Sequence, residues 1–303
     1  PDGQYIAWES MERDGYEADK SRLFIGEIAT GVKKDYSTQF DQNCNNLTWS
    51  TDGKSIYFIS DIHATDEIYR LNLADEKITR LTDGIHNYLT VAEAKGGLIA
   101  EKVSMSQPAE LYLVDPVTGK DQPITSVNKG IIDQLTMGKV EKRWVKTTDN
   151  KQMLVWVIYP PHFDASKKYP AILYCQGGPQ GTVSQNWSYR WNFQQMAANG
   201  YIVVAPNRRG LPGFGMEWLE QISKDYGGQN IKDYLSAIDN MSAEPFVDKE
   251  KLGAVGASYG GFSVNYLAGH HEGRFKAFIS HAGIFNFEQQ YVTTEEMFFE
   301  DWD

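Results

Sequence analysis

The stretch that most constrains this chain is Leu252-Gly253-Ala254-Val255-Gly256-Ala257-Ser258-Tyr259-Gly260-Gly261. An apolar strand runs into Gly-x-Ser-x-Gly and a helix-forming segment follows, the pattern of a nucleophile elbow. So tight a turn leaves no room for a Cβ two residues before or after the serine, and Gly256 and Gly260 meet that demand. The Ser258 hydroxyl is then held at the tip of the turn, beside backbone N–H groups able to stabilise an oxyanion. In a chain with 27 glycines the five-residue pattern is weak by itself, so its surroundings decide. Val255 and its neighbours read as a buried strand, and Phe262, Tyr266 and Gly269 recur at helical spacing. The competing reading is a serine in a Gly-rich loop.

The chain has 303 residues, 41% of them hydrophobic, enough for one large domain or two modest ones. A net charge of −11 argues against a nucleic-acid surface, which needs a basic patch. No apolar run is long enough for a membrane span. The first residues, Pro1-Asp2-Gly3, read as a turn between strands, so the chain is expected to be cut from a longer protein and shows no leader. Cys44 and Cys175 read as two free, buried thiols rather than a disulfide or metal site. No cofactor or metal is expected.

A repeat organises the first part. Pro1-Asp2-Gly3-Gln4-Tyr5-Ile6-Ala7-Trp8 matches Thr51-Asp52-Gly53-Lys54-Ser55-Ile56-Tyr57-Phe58, and Lys95-Gly96-Gly97-Leu98-Ile99-Ala100 is a weaker copy. Strands such as Arg22 to Ile28, Glu67 to Asn72 and Glu110 to Val114 lie between the turns. About four strands per unit and a period of about 40–50 residues mean propeller blades. Residues 1–133 are therefore expected to form about two and a half blades at the C-terminal end of a β-propeller. The acidic residues Asp61, Asp66 and Glu67 can meet a substrate amine there or form a solvated loop face.

Residues 134–303 change period. Val140 to Tyr159 reads as two strands with Trp144, Leu154, Trp156 and Ile158 as apolar positions. Pro170 to Cys175 is a buried strand leading into Gln176-Gly177-Gly178-Pro179-Gln180-Gly181, a loop that lets the backbone approach a ligand closely. Trp187 to Asn199 is a helix candidate with Phe193, Met196 and Ala197 inward, ended by Gly200. Tyr201 to Ala205 is the next strand, followed by Asn207-Arg208-Arg209-Gly210, whose arginines either bind a carboxylate or brace the loop. Ile231 to Asn240 reads as helix, and Phe275 to Ser280 as one more strand. Alternating strands and helices imply an α/β-hydrolase-type, mostly parallel sheet with helices on both faces. In that fold the second oxyanion N–H comes from the loop after the third strand, which falls on Gly178 or Gly177, and the first comes from Tyr259.

Gly177-Gly178-Pro179, Asn207-Arg208-Arg209-Gly210 with Gly213-Phe214-Gly215, and Gly256 to Gly261 together resemble the prolyl oligopeptidase family of serine peptidases, and the resemblance runs the whole length of the chain. Gly177 to Gln180, Ser188 to Gln194 and Ala205 to Gly215 resemble its bacterial dipeptidyl-peptidase branch more narrowly. Acylaminoacyl peptidases, another branch, usually carry His where this chain has Gln176. The resemblance implies release of N-terminal dipeptides from oligopeptides through an acyl-enzyme on Ser258. It also implies a propeller that excludes folded proteins, a possible homodimer of the full-length protein, and a periplasmic or secreted location. It places the Tyr259 ring in the pocket for the residue before the cut, with Phe285, Phe287 and Tyr291 as further aromatic walls or as core.

The triad of this fold runs Ser, Asp, His. After Ser258 come only His270, His271 and His281, all too early, and Asp301 and Asp303 have no His beyond them. No base or triad carboxylate is assigned. Both are expected past Asp303, and this stretch alone is expected to lack turnover. The remaining alternatives are a carboxylesterase on the same elbow, against which the propeller repeat speaks, and a non-catalytic binding protein.

Overall fold

The computed structural model describes residues 2–302, so Pro1 of the repeat and the terminal Asp303 lie outside the described residues. Strands β1 (Tyr5–Ser10), β2 (Arg22–Glu27) and β3 (Lys33–Asp35) form an antiparallel sheet. A four-stranded unit follows: β4 (Asn45–Trp49), β5 (Ser55–Ile62), β6 (Thr65–Asn72) and β7 (Lys77–Arg80). Next comes a second: β8 (Asn87–Ala94), β9 (Gly97–Ser104), β10 (Gln107–Val114) and β11 (Asp121–Pro123). Strand β5 shows why these sheets stack. Ile56 and Phe58 pack with Leu23 and Ile25 of the sheet before, while Tyr57 and Ile59 pack with Tyr88, Val91 and Leu98 of the sheet after. Both faces of β5 are covered there, so Ile56 to Ile59 is a continuous apolar run instead of an alternating one. The repeat Asp-Gly turns mark entry into equivalent strands, β1 and β5, which makes the first sheet strands two to four of a blade. One bridge, Asp66 to Asn87, joins the two four-stranded blades edge to edge.

A single helical turn, α1 (Lys129–Ile132), lies in the connection to the second sheet and buries none of its residues. That sheet comprises β12 (Val140–Lys146), β13 (Gln152–Ile158), β14 (Tyr169–Cys175), β15 (Ile202–Pro206), β16 (Val247–Ala257) and β17 (Ala277–His281), in the order β12-β13-β15-β14-β16-β17. The last three pairings are parallel. Its helices are α2 (Phe193–Ala198), α3 (Met216–Glu220), α4 (Gln229–Ser242), α5 (Tyr259–His270), α6 (Phe287–Thr293) and α7 (Met297–Trp302). Val155 and Val157 face the side covered by α4 and α5. Leu154, Trp156 and Ile158 face α2 and the propeller residues Ala64 and Met105. The architecture is thus propeller blades followed by an α/β-hydrolase sheet with helices on both faces, and the blades themselves cover part of one face.

Three local expectations are corrected. Trp144 is 44% exposed on the edge strand β12. The helix expected from Trp187 starts only at Phe193. The Ser188 hydroxyl takes the N–H groups of Arg190 and Trp191 (3.2 and 2.8 Å) in a tight turn, and Asn192 caps the helix by accepting from Gln195 N at 2.9 Å. On α5 the buried face is Tyr259, Gly260, Gly261, Ser263, Val264 and Leu267, whereas Gly269 is exposed and Phe262 and Tyr266 are half-buried.

Candidate active site

Strand β16 delivers Ser258 to the first turn of α5 with φ 57° and ψ −125°, left-handed backbone that a non-glycine residue rarely adopts. The surroundings hold it there. Ser258 N donates to the His281 carbonyl at the end of β17 (3.1 Å), and Phe262 N donates to the Ser258 carbonyl (3.0 Å). A methyl group on Gly260 would overlap the Cys175 carbonyl oxygen, and one on Gly256 would lie 2.7 Å from that same oxygen. The turn is therefore pressed against the end of β14, and the exposed Ser258 opens onto a cavity of about 330 Å3. Gly178, Gly181 and Ile284 line it, with the carboxylates Glu17, from the propeller part, and Glu296.

Gly177 and Gly178 follow β14 directly. A Cβ on Gly177 would stand 2.9 Å from the Ala257 carbonyl and 3.6 Å from Ser258 Cβ, so only glycine lets this loop lie against the elbow. Gly178 has φ 121°. The loop is braced from beneath by Arg208, and its continuation is tied to the propeller. Thr182 Oγ1 donates to Asp61 (3.0 Å), Asn87 Nδ2 to Ser184 Oγ (2.8 Å) and Met105 N to Gln185 (3.3 Å).

Both arginines are buried and brace loops, as one of the two sequence readings had it. Arg208 donates to main-chain carbonyls. Arg209 binds carboxylates of the protein itself: Asp149 on one side (2.5 and 2.6 Å) and the fully buried Asp233 on the other (3.2 Å). The hydrogen bonds from Arg209 hold the Asp149 carboxyl well below the usual carboxylate range. Burial pushes the Asp233 carboxyl up in spite of the same guanidinium.

The expected pocket aromatics are not brought together around Ser258. Tyr259 is 0% exposed, so its ring does not wall the cavity. The ring packs edge-on against Tyr226 with centroids 5.0 Å apart, and its hydroxyl donates to the Tyr226 carbonyl (2.9 Å) and Asn230 Oδ1 (3.0 Å). Phe287 is half-buried and joins the same cluster through Phe262 (4.8 Å) and Tyr226 (5.6 Å), which is core packing. Phe285 is 86% exposed and walls nothing here, and Tyr291 is exposed on α6. Glu17, Ile284, Tyr226 and Asn230 carried no sequence signal, because single residues on loops or mid-helix have no pattern to be read. Among the described residues no histidine is bonded to Ser258 Oγ. His270 Nδ1 lies 2.9 Å from the Tyr266 carbonyl, His271 Nδ1 accepts from Phe275 N (3.1 Å), and the exposed His281 ring packs against Trp191.

The sequence profile of the prolyl oligopeptidase family matches residues 187–303, a span that takes in the whole elbow. Across all 303 residues the chain is 55% identical to a Porphyromonas gingivalis protein named dipeptidyl-peptidase 5, covering 44% of that protein. Residues 187–303 therefore carry the sequence of the prolyl oligopeptidase family. Two solved structures place the same fold. Acylaminoacyl peptidase of Pyrococcus horikoshii matches with TM-score 0.87 and 25% identity over 99% of this chain and 47% of its own. Dipeptidyl peptidase 4 of P. gingivalis matches with TM-score 0.73 and 20% identity over 94% of this chain and 40% of its own, a likeness of fold. The chain spans less than half the length of each of these relatives.

Proposed function

We propose that the protein carrying this chain is a serine exopeptidase that releases N-terminal dipeptides, with Ser258 as nucleophile. The observation that carries the reading is Ser258 itself: a non-glycine residue at φ 57°, exposed at the tip of a strand-to-helix turn, above a cavity that the Gly177-Gly178 loop also lines. Ser258 Oγ attacks the peptide carbonyl after residue two. The N–H groups of Tyr259 and Gly178 stabilise the oxyanion, the amine leaves, and water hydrolyses the acyl-enzyme. The carboxylates Glu17 and Glu296 give the cavity an acidic wall, which suits the ammonium of a free N-terminus. An acylated N-terminus has no charge to meet them, and this favours the dipeptidyl reading over the acylaminoacyl one. No described histidine serves Ser258, so the 303-residue chain alone is not expected to turn over.

The test uses the full-length protein and one oligopeptide in two forms, free and acetylated at the N-terminus, with products identified by mass. Dipeptide release from the free form, abolished by Ser258→Ala, is the expected result. Release of an acetylated amino acid moves the protein to the acylaminoacyl reading. Hydrolysis of simple esters with no cleavage of either peptide moves it to a carboxylesterase.

A further inference from the structure

We propose that Arg208 is a positioning residue for the oxyanion hole, acting on both of its halves at once. The inference rests on the serine-peptidase reading of Ser258. Arg208 is fully buried, yet it forms no ion pair among the described residues, unlike its neighbour Arg209. An unpaired buried guanidinium is costly unless its N–H groups are satisfied. Here they are satisfied in a specific place. Nη2 donates to the carbonyls of Gln176 (3.4 Å) and Pro179 (3.1 Å), which bracket Gly177 and Gly178. Nη1 donates to the Arg209 carbonyl (2.6 Å), and Nε donates to Tyr234 Oη (3.2 Å), which itself accepts from Gln176 N (3.0 Å). The guanidinium carbon also lies 4.9 Å from the centroid of the Tyr259 ring, the residue that gives the other oxyanion N–H.

One rigid planar fork therefore turns the carbonyls flanking the glycine loop toward itself, which fixes the N–H groups of that loop, and it supports Tyr259. Gly210 is needed for this, since a Cβ there would stand 2.9 Å from Arg208 Nη1. A lysine keeps the charge but cannot span three carbonyls and a phenol oxygen, so geometry rather than charge is what the site uses.

The experiment compares Arg208→Met, Arg208→Lys and Tyr234→Phe in the full-length protein. Active sites are counted by fluorophosphonate titration, so that kcat is expressed per competent site. Arg208→Met is expected to lower kcat by about 100-fold, the loss typical of one oxyanion donor, with KM within about threefold. Affinity for a peptide boronate, which mimics the tetrahedral state, should fall in parallel, while affinity for the product dipeptide stays unchanged. Arg208→Lys should behave as Arg208→Met does. Full rescue by lysine overturns the fork argument, and a loss confined to KM or to the number of titratable sites overturns positioning altogether. If Arg208→Met does not fold, Tyr234→Phe decides: about a tenfold loss of kcat at constant KM supports the proposal, and wild-type kinetics sink it. Wild-type protein that neither titrates nor cleaves overturns the reading of Ser258, and this inference with it.

Discussion

Ser258 sits in left-handed backbone because three glycines let the chain close in around it. The strain is held by neighbours that leave no space to relax, which makes the glycines as exacting as the serine. Gly260→Ala drives a methyl into the Cys175 carbonyl and is expected to destabilise the protein by about 3 kcal/mol or more, read by urea unfolding. An alanine variant as stable as the wild type would refute that packing argument. The two arginines differ equally sharply. Asp233 is wholly buried against Arg209, whereas Asp149, on the other side of the same guanidinium, is 38% exposed. Asp233→Ala leaves a buried charge short of a partner and should cost about 3–5 kcal/mol. Asp149→Ala should cost less, because water reaches the vacated side. Comparable losses for the two would show that burial does not set the difference. Pattern in the sequence marks Gly256, Ser258 and Gly260, since the elbow's steric demand falls on fixed offsets. It does not separate Arg208 from Arg209, two identical neighbours whose flanking-loop carbonyls lie 32 and 29 positions away in one case and whose carboxylates lie 60 and 24 positions away in the other.

The element that couples the two parts of the molecule is the β5–β6 hairpin. Its tip reaches the loop between β15 and α3 through His63 N, which donates to the Gly213 carbonyl (2.9 Å), and Asp61 and Asp66 oppose each other just behind the tip. Burial, then the neighbouring Asp61, pushes the Asp66 carboxyl up to about 10. The sign follows directly. An acid whose native pKa is raised favours folding while protonated, so its contribution is complete below the unfolded value of about 4 and is lost as pH climbs toward about 10. Asp66→Asn should therefore be more stable than wild type at pH 8 and no more stable at pH 4, as measured by Tm across the range. A Tm difference that does not change with pH would show that Asp66 is not held protonated. The hairpin's strands are legible from their apolar run. The facing of two carboxylates depends on cross-strand register, which the run does not specify.

At the scale of the whole molecule, two stacked architectures share a face. Trp156 shows how closely they fit: it is buried among sheet residues on the side that the propeller's Ala64 and Met105 help cover, and its indole N–H donates to the Val183 carbonyl (2.9 Å). The connection between the parts is anchored at its ends, by Asn128 on Glu110 and by Gly138 on Gln194, and lies open between them. Residues 124–139 are mostly exposed, and α1 buries nothing. Limited trypsin digestion should cut at Lys129 and leave two large pieces that stay associated, because Lys129 is exposed on a one-turn helix that belongs to neither sheet. A first cut within β13 or β16 would contradict this division.

The sequence alone determined the features governed by local rules. These are the blade repeat with its Asp-Gly turns, the later change to alternating strands and helices, and the elbow, where sterics tie glycine to fixed offsets from Ser258. Local hydrogen bonding moved the start of α2, since Ser188 and Asn192 competed for the same N–H groups that an earlier helix start would have used. Only the tertiary structure decided what depends on partners distant in sequence. It turned the Tyr259 ring inward against Tyr226 and left Phe285 in water. It brought Glu17 to the cavity of Ser258, and it set one buried arginine against carbonyls and the next against carboxylates. An aromatic or a charge can be satisfied in many environments, and the choice among them belongs to the packing of the whole chain.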